Sequence, residues 1–331
     1  MLLEVENLFV EFAPRGEPAT HAVRGVSFGL QKGETLGLVG ESGSGKSVTA
    51  LSILRLIVPP GKVSQGRVML DGQDLLALSE AEMRGVRGGR IAIVFQDPMT
   101  ALNPVLTVGT QIVETIRAHR NISLKEARDE ALGWLERVHI PMPERRLRQY
   151  PYELSGGMRQ RVMLAIAFCC RPEVLIADEP TTALDVTVQA QVLDLMDEMR
   201  EELGTAVLLI THDLSIVAER ADRVAVMYAG QVVEEAPAGT LFAEPKHPYT
   251  QALLASLPNV WQERDEANPL PALPGRPPRL VEGSIPSGCA FTPRCAQATA
   301  ICSQKPPALI SVGAEHTTRC VLYSRESILR K

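Results

Sequence analysis

The stretch Gly40-Glu41-Ser42-Gly43-Ser44-Gly45-Lys46-Ser47 constrains this chain more than any other, because it fits the pattern G-x-x-x-x-G-K-[ST] at every fixed position. Successive backbone N–H groups can curl around phosphate oxygens only where side chains do not obstruct, so glycine recurs, and a helix starting at Lys46 adds the partial positive charge of its N-terminus. Glu34 to Gly40 reads as a short, nearly continuous apolar strand, and Lys46 to Ile57 has helical spacing until Pro59-Pro60 stops it. Strand, loop and helix are the context the pattern requires. Lys46 is expected to reach the β- and γ-phosphates of a nucleotide and the Ser47 hydroxyl to ligate Mg²⁺, with Val48 next on the helix completing the cradle.

Around this loop the chain reads as α/β. Its 331 residues correspond to about two domains. With 45% hydrophobic residues they can bury a sizeable core, which excludes disorder as a description of the whole. The first thirty or so residues alternate loosely between apolar and polar positions and suggest a hairpin. Val108, Ile112, Ile116, Ala127, Ala131, Leu135 and Val138 recur at helical intervals, so a mostly helical insert is expected over residues 100–150. Further on come a helix at about 156–169, a strand at Val174 to Ala177, a helix at about 187–202, a strand at Val207 to Thr211 and a hairpin within Arg223 to Glu235. From Pro258 to Pro286 proline is too dense for a packed helix or central strand, which marks a linker or wrapped arm.

Four further features gather at predicted strand ends or helix starts, where open α/β sheets bind ligands. The strand Val174 to Ala177 runs into Asp178 and Glu179; Asp178 suits Mg²⁺ and Glu179 can polarise an attacking water. Gln96 follows the strand Ile91 to Phe95 and can face Mg²⁺ or water. His212 follows Thr211 and can approach the γ-phosphate. Ser155-Gly156-Gly157 opens a helix, which makes either an ordinary cap or a second anion site. One nucleotide does not need two phosphate nests on one chain, whereas a second subunit does.

The ordered set of P-loop, Gln96, Leu154-Ser155-Gly156-Gly157, Asp178-Glu179, Ala183-Leu184-Asp185 and His212 resembles ABC-type ATPases over residues 1 to about 240. Phe95-Gln96-Asp97-Pro98-Met99, Gly157-Met158, Met227-Tyr228-Ala229-Gly230-Gln231 and His247-Pro248-Tyr249-Thr250-Gln251-Ala252-Leu253 resemble, more narrowly, the ATP-binding subunits of dipeptide and oligopeptide importers. The resemblance implies a P-loop NTPase fold with an antiparallel β subdomain, a helical subdomain at about 97–160 and a small C-terminal extension containing cysteines. It further implies an ATPase domain over 1–240, a Pro-rich arm over 241–286 and a cysteine region over 287–331. Each ATP would be enclosed by the P-loop of one subunit and the Ser-Gly-Gly of another. Glu179 would be the base, His212 the γ-phosphate sensor and Asp185 a link between the two sites. The position that commonly carries an adenine-stacking Tyr in this superfamily carries His21 here, and an imidazole can still stack.

Cys289, Cys295, Cys302 and Cys320 are spaced C-x5-C-x6-C-x17-C in a tail too poor in large apolar residues to bury a core alone. Small domains of that kind usually carry a staple, such as four thiolates on a metal. The gaps are wider than the C-x2-4-C pairs of zinc knuckles, while a group larger than one ion can be reached by wider spacing. Zinc and unmetallated thiols remain alternatives, and the resemblance implies a [4Fe-4S] centre. Cys169 and Cys170 sit in an apolar stretch and are expected to be buried in a helix.

Thirty-four Lys+Arg against 39 Asp+Glu leave no global positive field to collect nucleic acid. The longest uninterrupted apolar run, Val162 to Cys170, is far short of the ~20 residues that cross hydrocarbon, and Glu4 and Glu6 stand where a signal peptide needs apolar residues. The chain itself is thus not expected to span a membrane, and the resemblance implies a peripheral protein on the cytoplasmic face of a membrane, working with two transmembrane permease subunits, a second, paralogous ATPase and, indirectly, a peptide-binding protein. The alternatives are a soluble ABC ATPase acting on nucleic acid or protein assemblies, a related nickel or sugar importer, and a non-catalytic regulatory cassette, against which Glu179 and His212 argue.

Overall fold

The computed structural model of the chain describes residues 1–95, 101–182, 184–256 and 273–324. In chain order the elements used below are β1 (Leu3–Phe12), β2 (Thr20–Leu30), β3 (Thr35–Val39), α1 (Lys46–Ile53), β4 (Gly61–Leu70), β5 (Gln73–Asp74), α2 (Glu80–Val86), β6 (Ile91–Val94), α3 (Val108–His119) and α4 (Leu124–Arg137). They continue with α5 (Gly156–Phe168), β7 (Val174–Asp178), α6 (Val186–Leu203), β8 (Ala206–Thr211), α7 (Leu214–Arg220), β9 (Arg223–Tyr228), β10 (Gln231–Pro237), α8 (Ala238–Ala243), α9 (Pro248–Ala255), β11 (Ile310–Gly313) and β12 (His316–Thr318). The chain divides into two compact units.

One unit comprises Met1–Leu3, Leu30–Thr35 and Leu70–Ile210. Its strands β6, β7 and β8 pair in parallel, Ile91 opposite Val174 and Val174 opposite Ala206. β7 and β8 are buried along their whole length, which explains why they read as continuous apolar runs rather than alternating ones. In α3 and α4 the apolar positions at helical spacing, from Val108 to Leu135, are all buried, as is Val138. Thr107 caps α3 by accepting from the Thr110 N–H, and Ser123 and Glu126 close a reciprocal capping box on α4. Cys169 and Cys170 stand just past α5 rather than inside it, because the helix ends at Phe168 and Arg171 turns the chain with φ 53°. Cys169 is buried and Cys170 half-buried.

The second unit comprises Glu4–Gly29, Leu36–Met69 and Thr211–Lys331. β2, β1 and β4 lie side by side in that order, while β3 pairs with β9 in parallel and β9 with β10 antiparallel. α1 ends at Ile53, four residues short of the apolar pattern. Arg55 is left-handed with φ 53°, its N–H bonds the Ser52 carbonyl at 3.0 Å and the Leu56 N–H reaches back to the Leu51 carbonyl at 2.8 Å. This is a Schellman stop, and it keeps Leu54 buried after helical geometry has ended.

The tail has more structure than its composition suggests. β11 and β12 pair antiparallel, and β12 continues onto β10 with Glu234 opposite Thr318. Leu280, Ala290 and Phe291 are buried in a cluster with Tyr228, Tyr249 and Leu241, so the tail borrows a core rather than building one. The fully buried Glu234 joins these pieces. Its carboxylate accepts from the Lys246 and His247 N–H groups at 2.6 and 2.9 Å, and His316 Nε2 lies 2.8 Å away. The arm prolines Pro258, Pro269 and Pro271 lie outside the described residues.

Candidate nucleotide site and cysteine cavity

The P-loop runs from the end of β3 into α1, and two of its glycines, Gly40 and Gly45, are required by space as much as by φ. A Cβ on Gly40 would stand 2.2 Å from the Met227 carbonyl oxygen, and one on Gly45, whose φ is 105°, 2.6 Å from that of Ala22. The loop is tied to the β9–β10 turn by the Gly230 N–H, which donates to the Ser44 carbonyl at 2.9 Å. Lys46 is 5% exposed, and its ammonium donates to the carbonyls of Gly40 and Glu41 at 2.8 and 3.1 Å. The buried Ser44 hydroxyl has no hydrogen-bond partner. An orphaned donor beside a buried lysine and the start of a helix fits a phosphate-bearing ligand.

Ser42 and Gly43 are exposed, as is the Ser47 hydroxyl-bearing residue, while Val48 is half-buried. A cavity beside the loop is lined by Glu41 to Ser44, Thr20, Ala22, Tyr228, Ala229 and the arm residues Pro277, Pro278 and Leu280. His21 is not among these. Its N–H donates to the Leu280 carbonyl at 2.7 Å, and its ring lies 3.9 Å from Glu11. His212 is exposed between Thr211 and α7.

In the other unit, buried Asp178 ends β7 and Glu179 follows with φ 49°, a left-handed conformation that costs a residue with a Cβ about 1–3 kcal/mol. The Glu179 N–H donates to Ile210 at 2.8 Å, and its carboxylate accepts from the Thr182 hydroxyl at 3.1 Å. The turn is further held by Gln160, a fully buried residue of α5 whose amide N–H donates to the Pro180 carbonyl while its own Oε1 has no partner. Nothing in the sequence marks Gln160, which stands between Arg159 and Arg161 ahead of the apolar run that begins at Val162.

Ser155 caps α5, accepting from Met158 N–H at 3.4 Å, and with Gly156 it is exposed. A Cβ on Gly157 would stand 2.7 Å from Val188 Cγ1, so this glycine serves packing between α5 and α6. Asp185 caps α6 by accepting the Val188 N–H at 2.9 Å. Gln96 and Ala183 lie outside the described residues. Of the expected Mg²⁺ ligands, Ser47 and Asp178 are oxygen donors of the kind that ion takes.

Cys289, Cys295, Cys302 and Cys320 line one small cavity together with His247, Phe291 and Val321, although they are spread over C-x5-C-x6-C-x17-C in sequence. All are free thiols. The Cys289 N–H donates to the Cys302 carbonyl at 2.7 Å, and Thr299 N–H points at Cys302 Sγ at 3.4 Å. Burial raises the thiols of Cys289 and Cys295 above their ordinary range and pushes Cys320 up to about 11, while it pushes the His247 imidazole down to about 4. Among the described residues no group of three or more His, Cys, Asp or Glu side chains is arranged to hold a single metal ion. Nor is any described helix long and apolar enough to cross a membrane.

Residues 23–182 match the family described as "ABC transporter", and residues 233–302 match the "Oligopeptide/dipeptide transporter, C-terminal region". The oligopeptide transport ATP-binding protein AppD of Bacillus subtilis (strain 168) is 50% identical over 326 residues, covering 98% of each chain. The dipeptide transport ATP-binding protein DppD of the same organism is 49% identical over 327 residues, 98% of this chain and 96% of the other. Among solved structures, the dimeric post-hydrolysis state of the ATP-binding cassette MJ0796 with ADP and Pi is 29% identical, with a TM-score of 0.64 over 71% of this chain and 98% of that one.

Proposed function

This chain belongs to the ABC transporter ATP-binding family, in the branch that holds the ATP-binding subunits of peptide importers, and we propose that it binds and hydrolyses ATP to drive import of di- and oligopeptides. Its fold is the ABC-type P-loop nucleotide-binding fold with antiparallel and helical parts. The observation that carries the reading is the joint presence of a complete P-loop with an orphaned Ser44 hydroxyl and a tail that matches the oligopeptide/dipeptide C-terminal region.

In this reading residues 1–240 form the ATPase domain, 241–286 the arm and 287–331 the cysteine region. Lys46 and the loop from Gly40 through Glu41, Ser42, Gly43, Ser44 and Gly45 to Ser47 and Val48 hold the phosphates, and His21 contacts adenine. Ser47, Asp178 and Gln96 hold Mg²⁺, which supplies charge neutralisation on the β- and γ-phosphates. Glu179 takes the proton of the attacking water and His212 senses the γ-phosphate. Ser155, Gly156 and Gly157, at an exposed helix start, bind the nucleotide of a paralogous ATPase, and Asp185 links the two sites. The pair works at the cytoplasmic face of the membrane on two permease subunits. Affinity purification from solubilised membranes is expected to recover two membrane subunits and one related ATPase with this chain; recovery of the chain alone or with nucleic acid would overturn the assignment.

The four cysteines converging on one cavity support a [4Fe-4S] centre held by Cys289, Cys295, Cys302 and Cys320. Such a centre would supply a multidentate clip in a tail whose own core is small. Anaerobically purified protein should carry about four irons per chain with a broad absorption near ~400 nm. Replacing any one of the four by Ser should bleach it, whereas Cys169→Ser and Cys170→Ser should not. Stoichiometric zinc without colour would replace iron with zinc at this site, and metal-free protein would leave the four as thiols.

A further inference from the structure

The P-loop carries a carboxylate at its second position, Glu41, on the very segment that receives the polyphosphate. A negative side chain there opposes an anionic ligand unless its charge is met. Arg294, from the cysteine tail, meets it. The guanidinium is 4% exposed and donates from its two Nη atoms to the two Glu41 oxygens at 2.7 and 2.9 Å, while its Nε donates to the Pro274 carbonyl at 2.8 Å. Its position is fixed from below by Tyr228, whose ring centroid lies 5.8 Å from the guanidinium carbon. The Glu41 backbone is held from the same side, since its N–H donates to the Tyr249 hydroxyl at 2.9 Å. Tyr249 itself packs on Tyr228 and Phe291, at 4.5 and 5.4 Å between ring centroids.

We propose that Arg294 is a positioning residue of the nucleotide site. It neutralises Glu41 and pins the first turn of the P-loop, so that the C-terminal tail presets the site for ATP. The inference rests on the P-loop binding ATP, and it assigns Arg294 itself no contact with the phosphates. A planar fork is required, because only a guanidinium can engage both carboxylate oxygens while its Nε serves a third acceptor.

The test is titration of the full-length chain with MgATP, by calorimetry, together with KM and kcat for hydrolysis. Arg294→Met keeps the bulk and removes the charge. It should raise the dissociation constant and KM by about tenfold while leaving kcat within about twofold, the pattern of a lost ground-state contribution. Arg294→Lys should fall between the two, since it loses the bidentate contact. Glu41→Gln/Arg294→Met should return the dissociation constant to within about threefold of wild type, because the unpaired carboxylate is gone. Equal impairment of the single and double variants would reduce Arg294 to packing and overturn the proposal. So would unchanged MgATP affinity in Arg294→Met measured well below its melting temperature. Should Arg294→Met not fold, Glu41→Gln decides: affinity equal to or tighter than wild type is expected, and a tenfold loss contradicts the neutralising role. Failure of the wild-type chain itself to bind MgATP would count against the nucleotide site, and is thereby distinguished from failure of the clamp.

Discussion

Glu179→Gln is expected to lower steady-state ATP hydrolysis by at least about 10²-fold while leaving MgATP affinity close to wild type. The amide keeps the size and the acceptor for the Thr182 hydroxyl but cannot take a proton. The left-handed backbone at Glu179, tied by its N–H to Ile210, is set by the end of β7 and does not depend on the side-chain charge. A strained residue that is over-determined by its neighbours is the kind of position where a reacting group is held still. The variant should therefore accumulate with ATP bound, read as retained nucleotide after gel filtration. Hydrolysis at the wild-type rate would remove Glu179 from the role of base.

Lys46→Ala should act on the other half of the process. The ammonium is the buried positive charge of the loop, and it already bridges the carbonyls of Gly40 and Glu41. Its loss removes charge-assisted bonds to phosphate and frees the loop, so MgATP affinity should fall by about 10²-fold or more. Equilibrium binding separates the two variants: Glu179→Gln binds without turning over, whereas Lys46→Ala fails to bind at micromolar nucleotide. Normal affinity in Lys46→Ala would show that the loop does not hold the phosphates.

Local signals carried the nucleotide loop and its flanking strand and helix into view, because every determinant of the P-loop lies within eight consecutive residues. The same holds for α3 and α4, where periodicity and caps agree. What could not be read was decided over long separations. Arg294 and Glu41 are 253 positions apart, and nothing in either neighbourhood announces the other. The pairing of β12 with β10 likewise depends on a buried Glu234 meeting His316 from 82 residues away. At α1 the apolar pattern continued past the helix because the Schellman turn keeps Leu54 buried, so burial and helicity parted company. Gln160 carries no local signal, because a glutamine between two arginines near a helix start is ordinary, and only the fold sets its amide against Pro180.

ATP-driven peptide uptake tests the central claim most directly. Proteoliposomes would hold this chain with its two membrane subunits and the second ATPase, with MgATP on the side of the ATPases and a labelled dipeptide with its binding protein on the other. The account predicts movement of the dipeptide toward the ATP side only when ATP is present, and none when Glu179→Gln replaces the wild-type chain. Undiminished hydrolysis with no movement of any di- or oligopeptide would contradict it.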